Sequence, residues 1–255
     1  MSRRREASGE PTFQRTGANE IEAALAAGEP VRRLWVQRGV ADEAVARVAA
    51  RARERGIPVR EASAADLRRL SRGPAAPALA LVGRDPAASP EQVFAEPGAK
   101  WCLVGAAYPG NVGAALRTVE IAGAAAAFVD APLDHAGRRA ALRTSMNAER
   151  FMPVHWEPAA QVVDRARAHA HRVIGIEDVG DRAPWDEDLL APSLFLVGGE
   201  DASLSASLLE RCDAVLRLPM RGFIPCYNLQ AAVAAVALER LRQAAVSTVQ
   251  ASDST

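Results

Sequence analysis

Residues 218–241 read LPMRGFIPCYNLQAAVAAVALERL. The first ten carry two prolines and a glycine with no period, which predicts an irregular crossing rather than a helix or strand. Residues 228–241 are rich in alanine, the best helix former, and predict a helix. Asn228 stands at the join. Asn is a favoured N-cap, so taken alone it is a capping side chain with no chemistry. A loop of this kind feeding a long apolar helix sets the pattern against which the remaining chain is read.

The chain has 255 residues, room for one large or two modest domains. Basic and acidic residues balance at 31 each, yet the halves differ. Residues 1–72 hold 15 Arg and 10 acids, an excess of five positive charges that the remainder cancels. A basic front hints at a polyanion partner, and an arginine-rich solvated surface reads the same way. The three cysteines, Cys102, Cys212 and Cys226, form no Cys-x-x-Cys pair. They suit a reducing compartment, such as the cytoplasm, and neither a disulfide framework nor a zinc site. No apolar run approaches the ~18 residues of a membrane span, and the N-terminus lacks the apolar segment of a secretory signal.

Read in order, residues 1–16 predict a disordered arginine-bearing tail. Residues 17–83 predict a small α/β/α unit. In it, residues 17–28 are a helix capped by Asn19 and closed by Gly28, and residues 32–37 a strand with Leu34 and Val36 on one face. Residues 42–55 are a helix with Val45, Val48, Ala49 and Ala52 at one-face spacing and Arg47, Arg51 and Arg55 on another. Ser63 and Asp66 start a short helix. Residues 84–99, with Pro86, Pro90 and Pro97, predict an extended linker. From 100 to 245 strands alternate with helices, the pattern of a mostly parallel sheet, and residues 246–255 predict a frayed tail.

Three stretches carry the chemistry. Residues 109–123, PGNVGAALRTVEIAG, join a strand to a helix; Gly110 and Gly113 allow close approach of backbone, Asn111 is a cap, and Arg117 lies in the second turn. Residues 194–204, LFLVGGEDASL, end a buried strand in two glycines and Glu200. Glycine at the carboxyl end of a parallel strand commonly lets a ligand approach. The third is the 218–241 stretch. No G-x-G-x-x-G is present, which argues against a dinucleotide-binding oxidoreductase.

Together these stretches resemble the SpoU/TrmH family of RNA ribose 2′-O-methyltransferases, in the SPOUT superfamily. Asn111, Gly113 and Arg117 match its N-x-G-x-x-x-R motif. Gly198 and Glu200 match G-x-E-x-x-G, with Ser203 in place of the last Gly. Leu218, Pro219, Met220, Gly222 and Asn228 match the third motif, where Cys226-Tyr227 replaces the usual Ser-Leu. The resemblance spans about 101–242, and residues 17–82 are similar to the ribosomal-protein-like substrate-binding domain often placed before it. It implies a C-terminal domain with a deep trefoil knot enclosing S-adenosylmethionine, and a homodimer in which the first motif of one subunit completes the other's site. Carried over, the cofactor contacts fall at Ile176, Gly198, Leu218 and Cys226, of which no motif anchors Ile176. Arg117, Glu200, Asn228 and Asn111 become the catalytic set, and RNA, ribosomal or transfer, the partner. Arg3 to Arg5, Arg15, Arg32, Arg33 and Arg38 are counter-charges for its phosphates. A knotted RNA-binding factor without methyl transfer is the competing expectation, which Ser203 and Cys226 leave open.

Overall fold

The computed structural model describes residues 13–71, 73–199 and 203–252. Arg3 to Arg5 and Glu200 lie outside the described residues. The chain divides into two compact units, one through Asp85 and one from Pro86.

The first unit runs β1 Gln14–Thr16, α1 Gly17–Ala26, β2 Val31–Gln37, α2 Glu43–Glu54, β3 Val59–Ala62, α3 Ala64–Leu70 and β4 Ala78–Val82. Its sheet has the order β1-β4-β2-β3, with β2 and β3 parallel and β4 antiparallel to both its neighbours. Alternation decides the faces. Leu34 and Val36 of β2 and Ala78, Ala80 and Val82 of β4 turn to a core shared with Ile21 and Leu25 of α1 and Val45, Val48 and Ala52 of α2. The one-face spacing read in α2 is therefore its buried face. Asp42 caps α2, accepting from Ala44 N at 2.8 Å, and Ser63 caps α3, accepting from Asp66 N at 3.1 Å.

Two expectations change here. Residues 14–16 are not tail but an edge strand, Gln14 opposite Leu81 and Thr16 opposite Leu79. Asn19 does not cap α1; Thr16 is the N-cap and Asn19 already lies inside the helix. On the second face read in α2, Arg51 pairs with Glu22 and Arg55 Nη1 donates to Leu25 O at 2.5 Å, so these two arginines tie α2 to α1.

The second unit runs α4 Pro90–Ala95, β5 Ala99–Val104, α5 Pro109–Ile121, β6 Ala126–Asp130, α6 His135–Thr144, β7 Val154–His155, α7 Ala159–Ala168, β8 Arg172–Ile176, β9 Ser193–Gly198, α8 Ala206–Leu209, β10 Ala214–Leu216 and α9 Leu229–Ser252. All six strands are parallel, in the order β10-β8-β9-β5-β6-β7. Helices cover both faces. Val112, Leu116 and Val119 of α5 and Val233 and Val236 of α9 bury against one face, with Trp101 stacked on Phe195 at 4.6 Å. Phe94 of α4 and Val162 and Val163 of α7 bury against the other.

The linker expectation fails at α4. Pro90 sits in the first turn, where its missing N–H costs nothing, and Ser89 with Gln92 forms a full capping box. Val93 and Phe94 then enter the core. Of the expected C-terminal tail, residues 246–252 continue α9 and residues 253–255 lie outside the described residues. Among the described residues no helix is long and apolar enough to cross a membrane.

Candidate active site

Because the sheet is parallel, the carboxyl ends of all its strands open on one edge, where ligands bind in such folds. β8 ends at Ile176 and is followed by Glu177 and Asp178; β9 ends at Gly198; β10 is followed by residues 217–228. These three strand ends enclose one pocket. Its wall includes Ile176, Glu177, Gly198, Gly199, Ser203, Leu218, Met220 and Cys226, closed by Leu229 and Ala232 from the start of α9. All four residues expected to bind the cofactor thus meet around a single pocket, although they lie up to 50 positions apart in the chain.

The glycines at the end of β9 have different reasons. A Cβ on Gly199 would stand 2.8 Å from Ala106 Cα, Ala106 N and Gly105 C, so the backbone between β5 and α5 passes where a side chain would be. Gly199 N also donates to Val104 O at 2.7 Å. A Cβ on Gly198 would meet Glu177 Oε1 at 2.2 Å. Gly198 therefore makes room for an acid that the motifs did not single out. Glu177 Oε1 accepts from Leu204 N at 2.6 Å, holding the backbone at Leu204. Burial pushes its carboxyl above the ordinary carboxylate value, against the lowering effect of the Leu204 hydrogen bond. The signal was present in sequence, an acid directly after the buried strand RVIGI, but no spacing rule selects it.

The 217–228 segment is held at both ends. Tyr227 Oη donates to Pro219 O at 2.8 Å, closing the loop on itself. Asn228 is exposed, and its Oδ1 accepts from Gln230 N at 2.9 Å, which is the capping geometry its residue type predicts. Its side chain is not part of the pocket wall, though both its neighbours are.

The first-motif residues lie elsewhere. α5 begins at Pro109 with Tyr108 as N-cap, so Asn111 is inside the first turn and not the cap expected of it. Gly113 does permit a close approach, but to α6: a Cβ there would stand 2.4 Å from Ala141 O. Gly110 meets nothing within 4 Å. Arg117 is exposed on α5 and does not line the pocket of its own chain. Helix α5 packs beside α9, with Gln230 Nε2 3.5 Å from Thr118 Oγ1.

In the first unit, the expected RNA-binding arginines already have partners. Arg15 pairs with Glu29 at 2.6 Å, Arg32 with Asp85 at 3.9 Å and Arg38 with Glu61 at 3.5 Å, while Arg33 lies over the Trp35 ring at 5.8 Å. These exposed and half-exposed pairs are weak and open to exchange with a polyanion. Among the described residues no three His, Cys, Asp or Glu side chains cluster as a metal site requires.

The architecture is that of a small mixed α/β unit followed by a parallel α/β unit with a pocket at the carboxyl ends of its strands. Residues 100–238 match the SpoU rRNA Methylase family, and residues 16–77 match the family described as RNA 2′-O ribose methyltransferase substrate binding. The chain belongs to the SpoU rRNA methylase family, a class of RNA methyltransferases whose cofactor is S-adenosylmethionine. It is 32% identical to an uncharacterized tRNA/rRNA methyltransferase of Mycobacterium ulcerans (strain Agy99), across 86% of this chain and 73% of that one. It is 26% identical to the 23S rRNA (guanosine-2′-O-)-methyltransferase RlmB of Pseudomonas syringae pv. tomato, across 89% and 94%. A crystal structure of an RNA 2′-O ribose methyltransferase superposes with a TM-score of 0.55 at 29% identity, covering 91% of this chain and 88% of that one. At 23% identity, AviRb of Streptomyces viridochromogenes, solved in complex with AdoMet, shares the fold with a TM-score of 0.56, over 91% and 90%.

Proposed function

We propose that the chain methylates a ribose 2′-hydroxyl in structured RNA, with ribosomal RNA favoured over transfer RNA, and that it works as a homodimer. The observation that carries the reading is the convergence of Ile176, Gly198, Leu218 and Cys226 on one pocket at the strand ends. The residues there suit S-adenosylmethionine: the wall is built at the strand ends, Gly199 leaves no room for a side chain, and the acids Glu177 and Asp178 face a cationic ligand. When bound, the sulfonium supplies a methyl group already activated for transfer. The knotted path belongs to the same reading, in which the stretch after Gly198 and the stretch from Leu218 to Cys226 would thread together.

The chain's own contribution is then position and charge. Proximity is the largest part of that work. Arg117 places a guanidinium beside the acceptor hydroxyl, where it stabilises the developing alkoxide. A guanidinium stays protonated in proteins, so its role is electrostatic rather than that of a base. Since Arg117 does not line its own pocket, it serves the pocket of a second subunit, and dimerisation is a condition of activity. Asn228 fixes the turn between crossing and helix, and Asn111 and Glu200 belong to the same acceptor side. The first unit grips RNA by shape and phosphate through Arg15, Arg32, Arg33 and Arg38. The length shared with the 23S rRNA enzyme supports ribosomal RNA.

The test is transfer of tritiated methyl from S-adenosylmethionine to total RNA, followed by mapping of ribose-methylated positions. One resistant site in ribosomal RNA is the expected result. Label in base positions overturns the ribose assignment. Tight donor binding by calorimetry with no label in any RNA returns the chain to the silent RNA-binding role that Ser203 and Cys226 left open.

A further inference from the structure

Resting on the donor site just proposed, we infer that Glu177 makes the pocket discriminate the charged methyl donor from its neutral product. S-adenosylmethionine and S-adenosylhomocysteine differ by one methyl group and one positive charge, so a wall that senses charge separates them and a wall that reads only shape does so weakly.

The wall is one-sided in charge. Among the described residues that line it, Glu177 and Asp178 are the ionisable acids and no Arg or Lys is present. Arg217 and Arg221 flank the Leu218–Met220 stretch but are exposed and do not line the pocket. Glu177 is half-buried and its carboxylate is seated against Gly198, the residue at the end of the central strand. Leu204 N donates to one oxygen. A carboxylate offers about four acceptor positions, so backbone donors leave this one with capacity in hand.

An anion desolvated without a cation is costly, and its burial accordingly raises its pKa. A ligand that brings a positive charge relieves that cost, whereas the thioether left after transfer does not. The fold therefore favours the donor before the reaction and loosens its hold on the product afterwards. Glu177 is a specificity-determining residue in this account, distinct from the groups that act on the acceptor.

The experiment is calorimetric titration of the full chain with S-adenosylmethionine and, separately, S-adenosylhomocysteine, on wild type and Glu177→Gln. Gln keeps an oxygen that accepts from Leu204 N and removes only the charge. An opposite charge at close range is worth roughly one to three decades, and the low end suits a half-buried group, so the donor-over-product affinity ratio falls about tenfold in the variant. Product affinity stays as it was. A second series follows wild type alone as pH is lowered toward the unfolding range: the ratio falls as Glu177 protonates, and this decides the matter should the variant not fold. Asp178, exposed on the same loop, is the other carboxylate of the wall, which also carries the Cys226 thiol and the Tyr227 hydroxyl.

An unchanged ratio in Glu177→Gln overturns the inference while leaving the donor site standing. Equal loss of both ligands also overturns it, reducing Glu177 to a brace for the backbone at Leu204. Failure of wild type to bind either ligand overturns the donor site itself.

Discussion

Replacing Gly199 by Ala tests the packing that forms the pocket. Gly199 is not among the glycines with positive φ, so alanine can adopt its backbone conformation and only space is at issue. The new Cβ would stand 2.8 Å from Ala106 Cα and N and from Gly105 C, against an optimal separation of about 3.5–4.0 Å. The obstructing atoms are backbone, and Gly105 N is pinned to Asp130 O at 2.7 Å. One of the two segments must therefore move by most of an ångström. Overpacking of this kind costs roughly 1–3 kcal/mol. In a domain of this size each kcal/mol shifts the midpoint by about 2–4 °C, so melting of the second unit falls by roughly 2–12 °C. Donor binding weakens with it, because Gly199 is pocket wall. Gly110→Ala is the control. It meets nothing within 4 Å and lies in the first turn of α5, so the lost backbone freedom of the unfolded chain stabilises by about 0.4–1 kcal/mol. Thermal unfolding followed by circular dichroism reads both. A Gly199→Ala protein that melts within about 1 °C of wild type, or two glycines that respond alike, refutes the reasoning.

Arg117→Lys keeps the charge but loses the planar fork, and methyl transfer drops about 10²-fold with donor affinity unchanged; full activity would refute a geometry-dependent role. Burial alone would raise the Glu187 carboxyl, but hydrogen bonds from Arg172 at 2.7 Å and Arg182 at 2.8 Å outweigh it and hold it below the ordinary value. Its stabilisation is present above the unfolded value of 4.5 and is lost as pH falls through the lower folded one, so urea midpoints between pH 5 and pH 3 fall more steeply for wild type than for Glu187→Gln. Lys100, the chain's one lysine, is wholly buried beside His171, Nζ to Nε2 2.6 Å, and contacts Glu96 O; burial lowers it to about 8. The unfolded chain then binds more protons between the folded value and 10.5, so wild type gains stability relative to Lys100→Met as pH rises from 7.5 to 9.5. Parallel urea curves would refute this.

Local order was readable wherever a single element sets its own pattern. The one-face spacing of Val45, Val48, Ala49 and Ala52 is the buried face of α2, and RVIGI and SLFLV are buried parallel strands. Asn228 caps α9 as its residue type predicts. Where two local signals compete, the sequence misleads. Three prolines suggested an extended 84–99 segment, yet Pro90 opens a helix because Ser89 and Gln92 cap it. Asn111 looked like a cap, yet the helix starts two residues earlier at Pro109.

Sequence by itself determined the family, through three motifs in order, and the α/β class, through periodicity. By resemblance it also named four residues that line the pocket, Ile176, Gly198, Leu218 and Cys226, but not Glu177. The tertiary structure decided why they meet. Strand order β10-β8-β9 brings Ile176, Gly198 and Leu218 to one sheet edge. It also seats Glu177 against Gly198, which no spacing rule encodes, and sends Gly113 to α6 rather than to a ligand. The physical reason is that periodicity reports what one element buries, whereas a site at strand ends depends on which strands become neighbours, and that is fixed by pairings tens of residues apart.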